Sequence, residues 1–350
     1  MSNACHISID GTRQPKLEQA LLGLSVTNTV ETIPHALLEF KDGDPAMQDF
    51  KLSNQTWLTP GAQVVLSLGT KDDSVTPVFS GTVTHLRISA QNSGYFALEV
   101  ECKHPAHRMT LGRKMRFFHN DVSSNDETVA TISDAEALEN LGREYGLTVS
   151  TATHPDSEYQ KIVHENLPLY GGTDWDFLMM RADATGRLVR CQEGSIQLMI
   201  PDPAEAPDDQ LTALVFGGAQ ANILDFKAEM DGSLHASEAV VNSWDIDEQR
   251  LQIEPNTERS WDTQTGLTVA DLADAAGPEQ AAEFHGGDLL KQEARALGLA
   301  TMQRNTYEEL SVPFLPQPIQ ANPITGLYGG ITDDLHRGPD LGQGIALHSR

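Results

Sequence analysis

Cys102, His104 and His107 are the side chains whose types and spacing come nearest to a metal-ligating set. A Cys-x-His-x-x-His cluster can in principle bind zinc. Pro105 between the histidines works against a helix that would turn both to one face, and no fourth ligand lies close in sequence. We therefore read the cluster as a turn at a domain boundary, and no metal site is assigned. The chain has no HExxH, EF-hand loop or paired CxxC. It also lacks a GxSxG elbow and an SxxK nucleophile motif. Gly217-Gly218 and Gly329-Gly330 are not followed by GK[ST], so they read as tight turns and not as phosphate loops. With 50 acidic residues, no catalytic carboxylate pair stands out from solvated ones. No catalytic residue, cofactor-binding residue or cofactor is assigned.

Charge excludes more. The 350 residues carry 24 Lys+Arg against 50 Asp+Glu, a formal net charge of −26. Such a chain is repelled by phosphate backbones and anionic membrane surfaces, so neither nucleic-acid readout nor membrane insertion is expected. No run approaches ~18 apolar residues, and Met1 to His6 shows neither a basic nor an apolar signal region. Cys5, Cys102 and Cys191 are far apart and odd in number, as expected of reduced thiols in a cytoplasm. The imbalance is local. Residues 201–290 hold 19 acidic and 3 basic residues, whereas 103–116 hold five Lys or Arg and no acid. That basic stretch suits docking on an acidic face of a neighbouring copy; a solvated strand end is the alternative.

The elements that would position these groups change character along the chain. Residues 1–110 read as β structure. The candidate strands are Ile7–Ile9, Leu22–Val30, Ala36–Phe40, Val64–Leu68, Val78–Ile88 and Tyr95–Cys102, separated by Gly, Pro and Asn turns. Residues 111–200 read as a small α+β insert. Ser133-Asp134-Ala135-Glu136 is a capping box for a helix ending at Gly146. A second helix starts near Thr173-Asp174-Trp175-Asp176, is expected to bury Trp175 with Leu178 or Met179, and stops at Gly186. Glu193-Gly194 marks a hairpin between Leu188–Cys191 and Ile196–Ile200. Residues 201–210 form a Pro- and acid-rich linker. β patterning resumes at Leu211–Phe216, Ile223–Met230 and Glu238–Trp244; 262–280 suggests a short helix in a loop, and Asp288–Arg304 a longer one. Residues 306–350, punctuated by Pro and Gly, read as an extended C-terminal arm. Leu38-Glu39-Phe40-Lys41 echoes Leu224-Asp225-Phe226-Lys227, which hints at two related β units.

Several stretches, taken in order, resemble the Vgr-related hub proteins of contractile injection systems, the group that includes phage late control D-type tail hubs. They are Ile33–Asp44, Leu58–Val64, Val78–Val83, Leu98–Lys103, Asp174–Ala182 and Ser243-Trp244-Asp245. After Arg304 the chain departs from that pattern, with neither a Pro-Gly turn nor a Phe-x-Gly.

The resemblance implies a mainly β, α+β chain with two tube-like β-barrel domains, at 1–110 and 211–305, around the 111–200 insert. It implies a homotrimeric baseplate hub that adapts a hexameric inner tube to a trimeric spike. The implied partners are inner tube proteins, a spike protein or domain, and other baseplate proteins. Assembly in the cytoplasm into a phage tail-like particle follows, with release outside the cell as one further step. The rival readings are a β-rich module binding glycans or cell surfaces, disfavoured by 6% aromatic content, and a tail-associated peptidoglycan hydrolase.

Overall fold

The structure is a computed structural model describing residues 4–69, 75–91, 94–119, 131–154, 159–165, 167–200, 227–229, 237–246, 248–257, 280–285, 289–304, 309–311 and 344–348. It is mainly β with a few helices, the α+β class expected from the sequence.

The first β unit opens with β1 (Ala4–Ile9), β2 (Thr12–Arg13) and the short helix α1 (Pro15–Ala20). It continues through β3 (Leu21–Thr27), β4 (His35–Lys41), β5 (Gln63–Gly69), β6 (Val75–Ala90) and β7 (Phe96–Lys103). The strands form one sheet in the order β3-β4-β7-β6-β5-β1-β2, every pairing antiparallel. Alternation decides which face is buried. Ile7 and Ile9, Leu24 and Val26, Ala36, Leu38 and Phe40, and Leu98, Val100 and Cys102 all join a single core. The sheet therefore wraps around one apolar interior. Its registers set core residues opposite one another, Leu38 against Val100 and Ile7 against Leu66. The long β6 serves two neighbours, with register shifts at Leu66/Ser67 and Val83/His85 that let it bend. Gly81 sits at the tight point: a Cβ there would lie 2.5 Å from the Lys103 carbonyl oxygen. Helix α1 is absent from the sequence reading because six residues contribute only Leu17 to the core and show no helical period.

The insert adds β8 (Lys114–Phe118), α2 (Asp134–Glu144), β9 (Thr148–Thr151), β10 (Leu167–Gly172), α3 (Asp174–Ala184), β11 (Leu188–Gln192) and β12 (Ser195–Met199). The Ser133 box forms as expected: the hydroxyl accepts from Glu136 N–H and the Glu136 carboxylate accepts from Ser133 N–H. Thr173 and Asp176 repeat that arrangement at the start of α3. Glu193 and Gly194, at φ 45° and 79°, make the tight turn between β11 and β12 that two positive-φ residues favour. β12 also pairs in parallel with β9, while β8 and β10 form a separate antiparallel ribbon. A second core gathers Leu138 and Leu141 of α2, Phe177 and Leu178 of α3, and Val189, Cys191, Ile196 and Leu198 of the hairpin. The expected burial of Leu178 holds, but that of Trp175 is corrected: Trp175 is half-buried against the core, and the residues of α3 wholly inside are Phe177, Leu178, Ala182 and the charged Asp174.

Further along come β13 (Lys227–Glu229), β14 (Glu238–Asp245), β15 (Arg250–Asn256), β16 (Gln280–Phe284), α4 (Lys291–Arg304), β17 (Glu309–Ser311) and β18 (Gly344–His348). β14 lies between antiparallel β15 and parallel β16, and α4 packs over this sheet. The approach is close at Gly298, where an added Cβ would lie 3.0 Å from Asn256 Cβ. β13 pairs with β17, and β18 adds to the first sheet beside β3. The linker at 201–210, the run Leu211–Phe216, the Leu224–Phe226 part of the echo and residues 262–279 lie outside the described residues. No described helix is long and apolar enough to cross a membrane.

Candidate functional site

The basic stretch 103–116 leaves the first sheet at the end of β7, turns through a 3-10 segment at Pro105–Thr110 and enters β8. His104 caps the turn. Its ring faces two backbone N–H groups, Ala106 N at 3.2 Å from Nδ1 and Gly194 N at 3.3 Å from Nε2. A neutral imidazole has one acceptor nitrogen, so it takes one of these bonds at a time, and an imidazolium takes neither. Burial, reinforced by His107, lowers the His104 pKa to about 4. His107 meets the His104 carbonyl at 3.0 Å, while Cys102 is wholly inside the first core. The three residues singled out for metal chemistry thus face different surroundings. Among the described residues no His, Cys, Asp and Glu group is arranged to hold a metal. The thiols of Cys5, Cys102 and Cys191 are free, and burial pushes them up to about 11, 12 and 12.

Two cations of the stretch turn inward. Asp174 is fully buried at the start of α3. Lys114 Nζ reaches its Oδ2 at 2.5 Å, and Arg116 reaches Oδ1 through Nε and Oδ2 through Nη2, each at 3.0 Å. Tyr145 donates its hydroxyl to the same carboxylate, with Lys114 Nζ 2.5 Å from that hydroxyl. The hydrogen bond to Asp174, then that to Tyr145, holds the Lys114 ammonium above its ordinary range. Arg108 lies over the Tyr145 ring, 5.6 Å from its centroid, and donates to the Tyr145 carbonyl at 2.9 Å. A buried carboxylate needs such partners, because desolvation alone would cost several kcal/mol. Lys114 and Arg116 are therefore committed within the chain.

This turns β8 inside out. Lys114 and Arg116 face in, whereas Met115 and Phe117 face out and are exposed. Across the ribbon, Tyr170 stands opposite Met115. Its ring meets Phe117 edge-on, with centroids 5.5 Å apart. Sequence reasoning missed the ribbon. The available signal was the alternation Lys114-Met115-Arg116-Phe117, which reads as polar-out until a buried acid is known to lie beneath it.

A second polar cluster joins the insert to α4. Asp134 Oδ1 accepts from Arg181 Nε at 2.6 Å and lies 3.4 Å from His164 Nε2. On its other side, His164 Nδ1 is 3.2 Å from Glu293 Oε1 of α4, and Arg181 Nη2 is 3.9 Å from the same oxygen. Burial would raise the Asp134 pKa, but the His164 hydrogen bond and the Arg181 charge overcome it and bring the carboxyl to about 2. The cluster fixes the β14–β16 sheet, through α4, against the insert. At the insert's other boundary, Glu31 N–H donates to the Val189 carbonyl at 2.6 Å.

An inverted ribbon, an apolar wrapped sheet and polar clasps at the boundaries make an architecture of surfaces. Solved tail proteins share the overall fold. The 43 kDa tail protein of prophage MuSo2 from Shewanella oneidensis superposes with a TM-score of 0.56 at 12% identity, over 87% of this chain and 79% of that one. A tail protein from Neisseria meningitidis MC58 gives 0.50 at 10% identity, over 85% and 75%. A chain of the lidded Francisella PdpA-VgrG complex gives 0.51 at 10% identity, over 93% of this chain but 45% of that one, so this chain spans less than half its length. At these identities the likeness is one of fold, and the fold is that of tail proteins. By sequence, the family described as the Alg8 N-terminal domain matches residues 2–311, and the chain belongs to that family. No curated protein matches it.

Proposed function

We propose that this chain is a structural, non-enzymatic hub of a contractile injection particle. In this reading it is a homotrimer in which residues 1–110 and 211–305 supply two tube-like units per copy. Three copies then present six such units to a hexameric inner tube and a threefold end to a spike. The observation that carries the reading is the tail-protein fold spanning 87% of the chain. The apolar wrapped sheet of the first unit suits a building block whose work is done by its outer face. The partners are inner tube proteins, a spike protein or domain and other baseplate proteins, met during assembly in the cytoplasm. The particle can then act after release.

Native mass spectrometry of the full chain, alone and with tube and spike proteins, tests the reading. The expected result is a mass of three copies that binds both partners. A stable monomer with no affinity for either would overturn it.

A further inference from the structure

The two ends of the first sheet are finished in different ways. At one end stands β2, two residues long, whose Arg13 donates to Glu18 from Nε and Nη2, each at 2.9 Å. A short, charged strand is a poor template for another chain. At the other end β3 runs from Leu21 to Thr27 with neither a charge nor a proline. A strand of that composition, left with its outer row of N–H and C=O groups bare, invites pairing with another extended chain. In the structure that row is covered by β18, from the far end of the chain. β18 pairs antiparallel with Gly23 to Thr27, the part of β3 beyond the register shift between Leu21 and Gly23. Its register sets Leu347 opposite Leu24 and Ile345 opposite Val26, the two β3 residues buried in the first core. The edge that β18 presents in turn is five residues long and is followed in sequence by Ser349 and Arg350.

Backbone pairing, with apolar residues two apart, is how an extended segment recognises a sheet edge. We propose that the β3 edge is a strand-docking site, and that β18 of the same copy occupies it and so keeps it from pairing with the β3 edge of a second copy. The site takes an extended, uncharged segment with apolar residues at alternate positions, as Ile345 and Leu347 stand in β18. A bare β3 would pair with its like, because an antiparallel edge is complementary to a copy of itself and the contact closes as a two-fold dimer. β18 is suited to leave and return. Among the described strands its one neighbour in the sheet order is β3, and short strands at the rim of a sheet open ahead of the core. This role goes beyond the hub reading and stands apart from it, since edge pairing adds to whatever assembly the intact chain forms.

Ile345→Pro together with Ala346→Pro in the full chain removes a donor that β18 turns toward β3, because N–H groups of successive strand residues point to opposite sides. Hydrogen exchange at residues 23–27 should quicken at least about tenfold. Sedimentation velocity should show species heavier than the wild-type chain forms at the same concentration. Ser25→Lys added to that variant should remove the heavier species, since a charge on the edge blocks pairing. A synthetic peptide of residues 344–350 should bind the double variant, slow exchange at 23–27 again and suppress the heavier species. Unchanged exchange, a mass unchanged from wild type, heavier species that survive Ser25→Lys, or no binding of the peptide each overturns the inference. If circular dichroism shows the double variant unfolded, a crosslink in the otherwise wild-type chain decides. Ser25→Cys and Ala346→Cys, opposite in register, should be joined by a thiol crosslinker within one copy. Joining between copies, or none, overturns the proposal. The wild-type mass, which tests the hub reading, is measured separately, so either reading can fail alone.

Discussion

The first β unit and the insert each bury an aspartate, and they neutralise it by different means. Asp42 follows β4. Its Oδ1 accepts from Leu52 N–H at 3.0 Å, and its Oδ2 accepts from the N–H and hydroxyl of Ser53 at 2.8 and 2.5 Å. All three donors are neutral, and all lie within about a dozen residues. Asp174 is held instead by Lys114, Arg116 and Tyr145, from segments 60, 58 and 29 residues away. The first carboxylate shapes a loop whose neighbouring strands are already placed by apolar alternation. The second binds β8, the end of α2 and the start of α3 into one body. An apolar core tolerates sliding and repacking, whereas a buried charge accepts few arrangements. That contrast is why the insert can hold an inverted strand at all.

The strongest way to break the contrast is Asp174→Ala. It leaves Lys114 and Arg116 facing a low-dielectric site with no counter-charge, so a loss of about 3–5 kcal/mol is expected. Chemical denaturation of the full chain measures it. Hydrogen exchange should place the earliest opening in 114–118 and 167–172, with the first sheet still protected. Equal loss of protection in both regions would show that the two cores do not act separately.

Legibility follows the same division. The strands of the first unit could be read directly, because Ala36, Leu38 and Phe40, or Leu98, Val100 and Cys102, alternate inward and their turns carry Gly, Pro or Asn. Both long insert helices announced themselves through capping residues, whose partners are only three positions away. The ribbon did not, since its pattern makes sense only with Asp174 beneath it. Nor did the Asp134–His164–Arg181–Glu293 cluster, whose members come from four separate segments. Local chemistry is written in neighbouring residues. Long-range charge pairing is written in positions that one chain does not label. For the same reason the five basic residues of 103–116 suggested an outward docking patch, while two of them in fact face a buried acid.

The boundary cluster sharpens the comparison through pH. The Asp134 carboxyl lies at about 2 in the fold, against an ordinary value of 3.8. A carboxylate with a depressed pKa adds stability above its unfolded value, and that stability drains away as pH falls from about 4 through 2. The shift corresponds to about 2 kcal/mol at neutral pH. Asp134→Asn should therefore destabilise the chain by about that amount at pH 7, and the gap from wild type should close as pH falls toward 2. Urea titrations at several pH values test this. A gap that does not depend on pH would mean that the aspartate acts by shape alone.

The smallest effect is expected at Asp42. Asp42→Asn keeps one carbonyl acceptor but sets an amide N–H₂ against the donors it must satisfy, so about one charge-assisted bond is lost, worth about 1.5 kcal/mol. The damage should stay local, because among the described residues the Asp42 carboxylate accepts from Leu52 and Ser53, while its backbone N–H keeps the Phe96 carbonyl whatever the side chain. Amide exchange should quicken across 43–55 while β4 and β7 remain protected, held by the Leu38–Val100 and Phe40–Leu98 pairs. If the protection of β4 falls with the loop, then this carboxylate organises the sheet and is not its accessory. The two buried aspartates would then do the same job with different donors.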